Sequence, residues 1–199
     1  VDSLEKQTYP KEKIELVLVS SKPLAVASSL SVRIVAVEPE AGYAELRNKG
    51  VGAAQGELFA FIDDDCRAPQ NWLSEAARIF QNNGKVALVG GPAIPFENDE
   101  IWYRAGGYIL RSPFLVGFVS SRYRKLPHGF ETRGEHLILA NTVVSRSAFE
   151  DIGGFDVGQI PCEDGYFYFR LREKGYTLWY APEVFVWHRA KPVFAGICK

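Results

Sequence analysis

Over its first ninety residues the chain alternates short β-branched runs with stretches of helical spacing, and this alternation restricts the possible folds more than any other feature. Residues 14–19 (IELVLV) and 32–37 (VRIVAV) are apolar runs bounded by polar or turn residues, and they read as strands. Residues 43–55 (YAELRNKGVGAAQ) bring back Ala, Leu and Val at helical spacing, with Gly56 placed to stop the helix. Residues 58–62 (LFAFI) form the next strand, and "DDDCRAP" a loop. Pro69 then stands where a first helical turn tolerates it, ahead of a helix with Trp72, Leu73, Ala76, Ile79 and Phe80 on one face. VALVGG follows as another strand. The order strand, strand, helix, strand, helix, strand predicts an α/β fold with a mostly parallel central sheet flanked by helices. Ligands of such sheets bind outside the carboxyl ends of the strands, and Asp63, Asp64 and Asp65 lie at one of those ends.

The second half reads differently. Residues 96–135 are rich in Tyr, Phe, Trp, Arg and Gly, with no sustained period, and are expected to be an irregular functional loop or lid. Its rings, among them Trp102, Tyr103, Tyr108, Phe114, Phe118 and Tyr123, suit core and lid packing better than a specific binding box. After HLILAN (136–141) come a short strand, a helix over about 146–151 and the turn "IGGFD". A helix from about Asp164 is stopped by Gly175, and TLWYAP and EVFVWH are the closing strands. No repeat, linker or low-complexity tract divides the chain, so one domain is expected.

Composition narrows the class. With 199 residues, 47% hydrophobic and 24% charged, the chain is of globular type, and a net charge of −1 leaves no broad nucleic-acid footprint. Apolar runs of about five residues fall short of the roughly twenty that a membrane span needs, and no signal-peptide pattern is present. The three cysteines, Cys66, Cys162 and Cys198, match neither a metal motif nor a disulfide framework and fit a reducing compartment. The absence of methionine, including an initiator, suggests a fragment of a longer protein.

Five features can carry chemistry. In an extended segment alternate residues point the same way, so Asp63 and Asp65 can converge while Asp64 faces elsewhere. Oxygen ligands without paired histidines or thiolates suit Mg2+ or Mn2+, ions held by one or two carboxylates together with substrate phosphates. The competing reading is a solvated, capped turn ahead of Pro69. Glu163 and Asp164 stand at a helix start, where an acid can cap the helix or serve as a general base toward an acceptor hydroxyl. His188 ends a strand, either as a structural residue or as an imidazole completing a carboxylate metal site. Arg47 is a surface cation in the plain reading and a diphosphate partner in the functional one. Gly91 closes a strand as a turn, or as bare backbone that a ligand can approach. Cys66 and Cys162 are read as bystanders.

Four stretches in order, "SLEKQTYP", "GYAELRNKGVGAAQGELFAFIDDDCRAPQNWL", "LANTVVSRSAFEDIGGFD" and "CEDGYFYFRLREKGYTLWYAPEVFVWH", resemble the family 2 glycosyltransferases, the inverting group with the GT-A fold. The resemblance spans about residues 3–190. It implies a Rossmann-like single domain, with residues 1–92 as the nucleotide-sugar half and 93–199 as the acceptor-side half. The family's usual first strand is lacking, and Ser20 and Ser21 stand where the family has an acidic motif for nucleobase and ribose. It further implies that Asp63, Asp64 and Asp65 form the Asp-x-Asp element, with Asp65 the direct ligand of Mn2+ or Mg2+ and Asp63 nearer the nucleotide. Arg47 would contact the nucleotide with Gly91, His188 would add a metal or diphosphate contact, and Asp164 would be the catalytic base beside Glu163. Asn141 and Trp102 would lie on the acceptor side. The implied partners are a nucleotide-diphospho-sugar donor and a glycan or lipid-linked acceptor, in polysaccharide, glycolipid or glycan synthesis. No nucleic-acid partner is implied. The implied location is the cytoplasm or the cytoplasmic face of a membrane, with any membrane segment beyond "KPVFAGICK". Two alternatives stay open: a non-catalytic nucleotide-sugar-binding domain, and a nucleotidyltransferase on a related sheet.

Overall fold

In the computed structural model, which describes residues 1–159 and 162–189, the apolar runs become strands close to where the sequence puts them. The chain opens with a single helical turn, α1 (Asp2–Glu5), then β1 (Glu15–Ser20), β2 (Ser31–Ala36), α2 (Tyr43–Ala53) and β3 (Leu58–Ile62). Next come β4 (Cys66–Arg67), α3 (Trp72–Asn82), β5 (Val86–Gly90) and β6 (Ala93–Pro95). Two helices, α4 (Ile101–Arg111) and α5 (Pro113–Val116), precede β7 (Phe130–Thr132), β8 (Asn141–Ser145) and α6 (Arg146–Asp151). The last elements are α7 (Glu163–Glu173), β9 (Thr177–Tyr180) and β10 (Val186–His188). Cys198 and the "KPVFAGICK" segment lie outside the described residues.

The α/β class and the flanking helices are as expected, but the strand pairing is mixed rather than mostly parallel. The central sheet has the order β3-β8-β5-β9-β7, and only β5 and β9 pair in parallel within it. Strand β8 arrives after the long excursion through residues 96–140 and inserts antiparallel between β3 and β5. Its first four residues are all buried, and Val143 and Val144 point into opposite layers, as a central strand requires. Nothing in the alternation of the first ninety residues foretells that insertion. Strands β1 and β2 form a separate parallel pair, and β10 joins β4 and β6 in a small third sheet.

Two apolar layers cover the central sheet. On one face Phe59, Leu88, Val144 and Leu178 pack with Phe149 of α6 and with Phe167 and Leu171 of α7. On the other, Val89 and Val143 meet Trp72, Ala76 and Ile79 of α3. Each fully buried side chain of this size contributes about 1.5–3 kcal/mol, so α7 is held firmly by Phe167 and Leu171. Gly175 ends α7 at φ +86°, where its amide bonds the Arg172 carbonyl at 2.8 Å and the next amide reaches Leu171, an αL cap.

The segment expected to be irregular holds α4 and α5, and its rings do not form a core. Trp102, Tyr108, Phe114 and Phe118 are all exposed. Helix α4 is centred on Gly106-Gly107, each costing about 1 kcal/mol of helix propensity relative to alanine, and both are buried. Among the described residues no helix is long and apolar enough to cross a membrane.

Candidate active site

The three aspartates follow β3 directly, but not in extended conformation. The Cys66 amide bonds the Asp63 carbonyl at 3.1 Å, closing a turn over Asp63–Cys66. Turn geometry, rather than strand alternation, therefore separates their side chains. Chain leaving the turn becomes β4, which pairs antiparallel with β10 and sets His188 opposite Cys66. As a result His188 Nε2 lies 3.2 Å from Asp65 Oδ1. Two ligands at adjacent corners of an octahedral ion with bonds of about 2.1 Å stand about 3 Å apart, so this pair fits Mg2+ or Mn2+. Asp65 is half exposed, which leaves coordination positions open toward solvent.

Cys66 Sγ also lies within 4.8 Å of the Asp65 and His188 ligand atoms, whereas Asp63 is outside that group. Burial, reinforced by Asp63 and Asp65, pushes the Cys66 thiol up to about 12, so it stays protonated beside the two donors. A hard ion has little use for a neutral thiol. Asp63, though solvent reaches the residue, has its carboxyl crowded by protein, and this desolvation is the main influence raising its pKa. Arg47 counters it most strongly, Asp65 and Asp64 add to the rise, and His188 opposes it. Asp64 is exposed, as are its two neighbours.

Arg47 connects the two acidic clusters. It sits on α2 with its guanidinium 5.5 Å from the ring centres of Tyr43 and Phe155, and Nη1 donates to Glu163 Oε1 at 2.7 Å. Both side chains are about four-fifths covered. The same guanidinium holds the first residue of α7, and its charge is the main influence lowering the pKa of Asp63 at the end of β3. Cys162 enters α7 at φ +78°, a left-handed conformation that costs a non-glycine residue about 1–2 kcal/mol, and such strain clusters at functional sites. Asp164 follows in the first helical turn, where the helix dipole favours the anion. Its Oδ1 accepts only from the neighbouring Gly165 amide, at 2.7 Å, and among the described residues it has no cationic partner.

Several residues that sequence reasoning passed over complete this region. Asn48 makes a reciprocal pair with Phe155, donating to its carbonyl at 2.7 Å and accepting from its amide at 2.9 Å. That pair locks α2 to the Gly153-Gly154-Phe155 turn, and a Cβ on Gly154 would stand 2.7 Å from Asn48 Oδ1. Arg170 of α7 donates to the Gly154 carbonyl at 2.9 Å. Tyr123 and Tyr168 both feel the charge of Asp164, although burial is the main reason their phenols titrate high. For Tyr168 the signal was available, since residues four apart share a helix face.

Two expected contacts are corrected. Asn141 is fully buried, and its amide is spent on protein: Oδ1 accepts from Trp72 Nε1 at 2.8 Å, and Nδ2 donates to the Val184 and Pro92 carbonyls at 2.8 and 3.2 Å. It pins α3 and the 181–184 turn to β8 and is not available to an acceptor. Gly91 is buried, and a Cβ there would stand 1.9 Å from the Val184 carbonyl oxygen and 2.3 Å from that of Ala181. The close approach that demands glycine is by the chain's own backbone, not by a ligand. Trp102 is exposed on α4, as an acceptor-side ring can be.

The description "Glycosyl transferase family 2" matches residues 1–153, and the chain belongs to that family. Glycosyltransferase AglE of Haloferax volcanii is 27% identical over 201 residues, covering 96% of this chain and 62% of the relative. The pre-mycofactocin glycosyltransferase of Mycobacterium tuberculosis is 31% identical over 150 residues, 74% of this chain and 30% of that protein. Among solved structures, the mannosyltransferase PcManGT from Pyrobaculum calidifontis, in complex with GDP-Man and Mn2+, superposes with a TM-score of 0.63 at 20% identity. That superposition covers 94% of this chain and 51% of PcManGT. Residues 1–349 of S. aureus TarS in complex with UDP give a TM-score of 0.58 at 15% identity, over 90% of this chain and 54% of TarS 1–349. These likenesses carry the GT-A fold. The chain spans less than two thirds of the relatives it matches.

Proposed function

We propose that this chain is the donor-handling and catalytic domain of an inverting glycosyltransferase that uses a nucleotide-diphospho-sugar and Mn2+ or Mg2+. The observation that carries the reading is the Arg47–Glu163 pair, in which the cation holding the start of α7 is also the main charge lowering the Asp63 pKa. Family membership and the donors bound by PcManGT and TarS support it. Asp65 and His188 would hold the ion, whose chemistry is to offset the charge gathering on the departing diphosphate. Asp63 lies beside them toward Arg47. The open donors of Arg47 face the same charge, and their guanidinium is fixed in advance by Glu163 and two rings. Asp164 takes the proton from the acceptor hydroxyl as its oxygen bonds to the anomeric carbon. The bond from that carbon to the diphosphate breaks at the same time, the electron pair leaves with the diphosphate, and attack from the opposite face inverts the centre.

The test uses the full-length protein with Mn2+ and a panel of nucleotide-diphospho-sugars. Asp164→Asn is expected to lower transfer by about 10²–10⁴-fold while keeping donor affinity. Loss of donor binding together with transfer would remove the base assignment. The acceptor is a glycan or lipid-linked saccharide in this reading, with synthesis at the cytoplasmic side of a membrane.

A further inference from the structure

A polar cavity of about 400 Å3 lies between the end of β6, residues 96–98 and α4, lined by Pro95, Asn98, Arg104, Gly107, Tyr108 and Arg111 among others. Its position is tied to the site. Pro95 is paired with His188 in the parallel β6–β10 ladder, so the cavity begins one strand spacing, about 4.8 Å, from the His188 backbone. Its wall is clamped there as well. Arg189, the residue after His188, makes a two-pronged pair with Asp99 at 2.8 and 2.9 Å and lies over the Tyr103 ring at 4.8 Å.

The charge inside the cavity is unbalanced. Arg104 and Arg111 are seven residues apart on α4, two turns and about 10.5 Å along one face. Among the described residues neither guanidinium has an ion-pair or hydrogen-bond partner, while one carboxylate, Glu97, lines the cavity. Arg104 Nε is buried with no hydrogen-bond partner among the described residues. A buried donor left unpaired is costly, and nearly all such groups in folded proteins find an acceptor. Two planar cationic forks flanking a cavity, both without a partner among the described residues, match an oxyanion with several acceptor oxygens.

We propose that this cavity is an acceptor subsite that binds a phosphate group through Arg104 and Arg111, so that the acceptor is a phosphate-bearing saccharide. The inference rests on the glycosyltransferase reading and adds the chemical class of its acceptor. The phosphate belongs either to a free sugar phosphate or to a lipid-linked saccharide, and in both cases the two arginines hold it beside His188 while a sugar hydroxyl is left for attack.

Binding to the full-length protein is followed by calorimetry with glucose 1-phosphate, octyl phosphate and, as the neutral control, octyl glucoside. Wild type is expected to bind one or both phosphates and not octyl glucoside, with affinity falling as salt rises. Tighter binding of octyl phosphate assigns the lipid-linked source, and tighter binding of glucose 1-phosphate the free one. Arg104→Gln with Arg111→Gln is expected to weaken the phosphate at least about tenfold, and Arg104→Lys with Arg111→Lys to restore part of it. Wild type that binds neither phosphate overturns the inference, as does an Arg104→Gln, Arg111→Gln protein that binds them unchanged. A Mn2+-dependent interaction with nucleoside diphosphate, measured on the same samples, separates the two failures. If it persists while the phosphates do not bind, only the acceptor inference falls; if it is missing, the donor reading falls.

Discussion

Replacing Glu163 by glutamine removes the charge that Arg47 answers while keeping a hydrogen-bonding group of the same shape. The pair is 2.7 Å long and about four-fifths covered, between the fully exposed case, worth about 0–1 kcal/mol, and the fully buried case, where losing one partner costs about 3–5 kcal/mol. About 1–2 kcal/mol is therefore the expected coupling in a double-mutant cycle of Arg47→Gln and Glu163→Gln, read by thermal or denaturant unfolding. In a chain of this length that corresponds to a fall in Tm of about 2–8 °C for the Glu163→Gln change. The functional effects should then part company. In the proposed reading Arg47→Gln removes the cation that would meet the diphosphate and should weaken the donor about ten- to a hundredfold. Glu163→Gln leaves that cation in place, so donor affinity should hold, while turnover falls because the first turn of α7, which carries Asp164, loses its tether. Calorimetry with the nucleoside diphosphate and Mn2+ reads the first effect, and single-turnover transfer the second. A coupling below about 0.3 kcal/mol, with both variants binding donor equally, would refute the idea that Arg47 joins the two clusters.

Asn141→Ala should cost about 2–4 kcal/mol, because it removes three buried hydrogen bonds and strands the Trp72 N–H; the fraction that folds should keep its acceptor KM, and a raised KM at unchanged stability would return Asn141 to the acceptor site. Gly91→Ala places a Cβ against two carbonyl oxygens at 1.9 and 2.3 Å and should destabilise by about 3 kcal/mol or more, seen as loss of soluble protein or a large drop in Tm. A Gly91→Ala protein of normal stability would show that the 181–184 turn can move away. Cys66→Ala should leave the metal dependence of nucleotide binding intact, since oxygen and imidazole suit Mn2+ and Mg2+ better than a neutral thiol. Loss of that dependence would make Cys66 a ligand.

Much of this architecture is written locally. LFAFI, VALVG and RSAFED carry their own period and their own stops, and β3, β5 and α6 form at those residues. The position of the acidic cluster is legible in the same way, since Asp63–Asp65 directly follow β3. What the chain does not spell out locally is pairing across long separations. The antiparallel entry of β8, the seating of His188 against Asp65 and the Arg47–Glu163 pair join residues about 80 to 125 positions apart, and no periodicity encodes such contacts. Asn141 and Gly91 misled for a related reason. A polar amide or a bare backbone near a site looks available to a ligand until the 181–184 turn, ninety residues beyond Gly91, folds onto both. Helix α4 is harder to read because Gly106 and Gly107 at its centre are poor helix formers.

The central claim is that Asp65 and His188 hold a divalent ion which, with Arg47, binds the diphosphate of a nucleotide-sugar. Thermal unfolding of the full-length protein with a panel of nucleotide-diphospho-sugars, with and without Mn2+, tests it most directly. At a hundred times Kd a ligand stabilises by about 2.7 kcal/mol, a shift of several degrees at this chain length. The account predicts such a shift for at least one donor, dependent on Mn2+ in the wild type and abolished in Asp65→Ala. A panel without any Mn2+-dependent shift, or a shift that survives unchanged in Asp65→Ala, would contradict it.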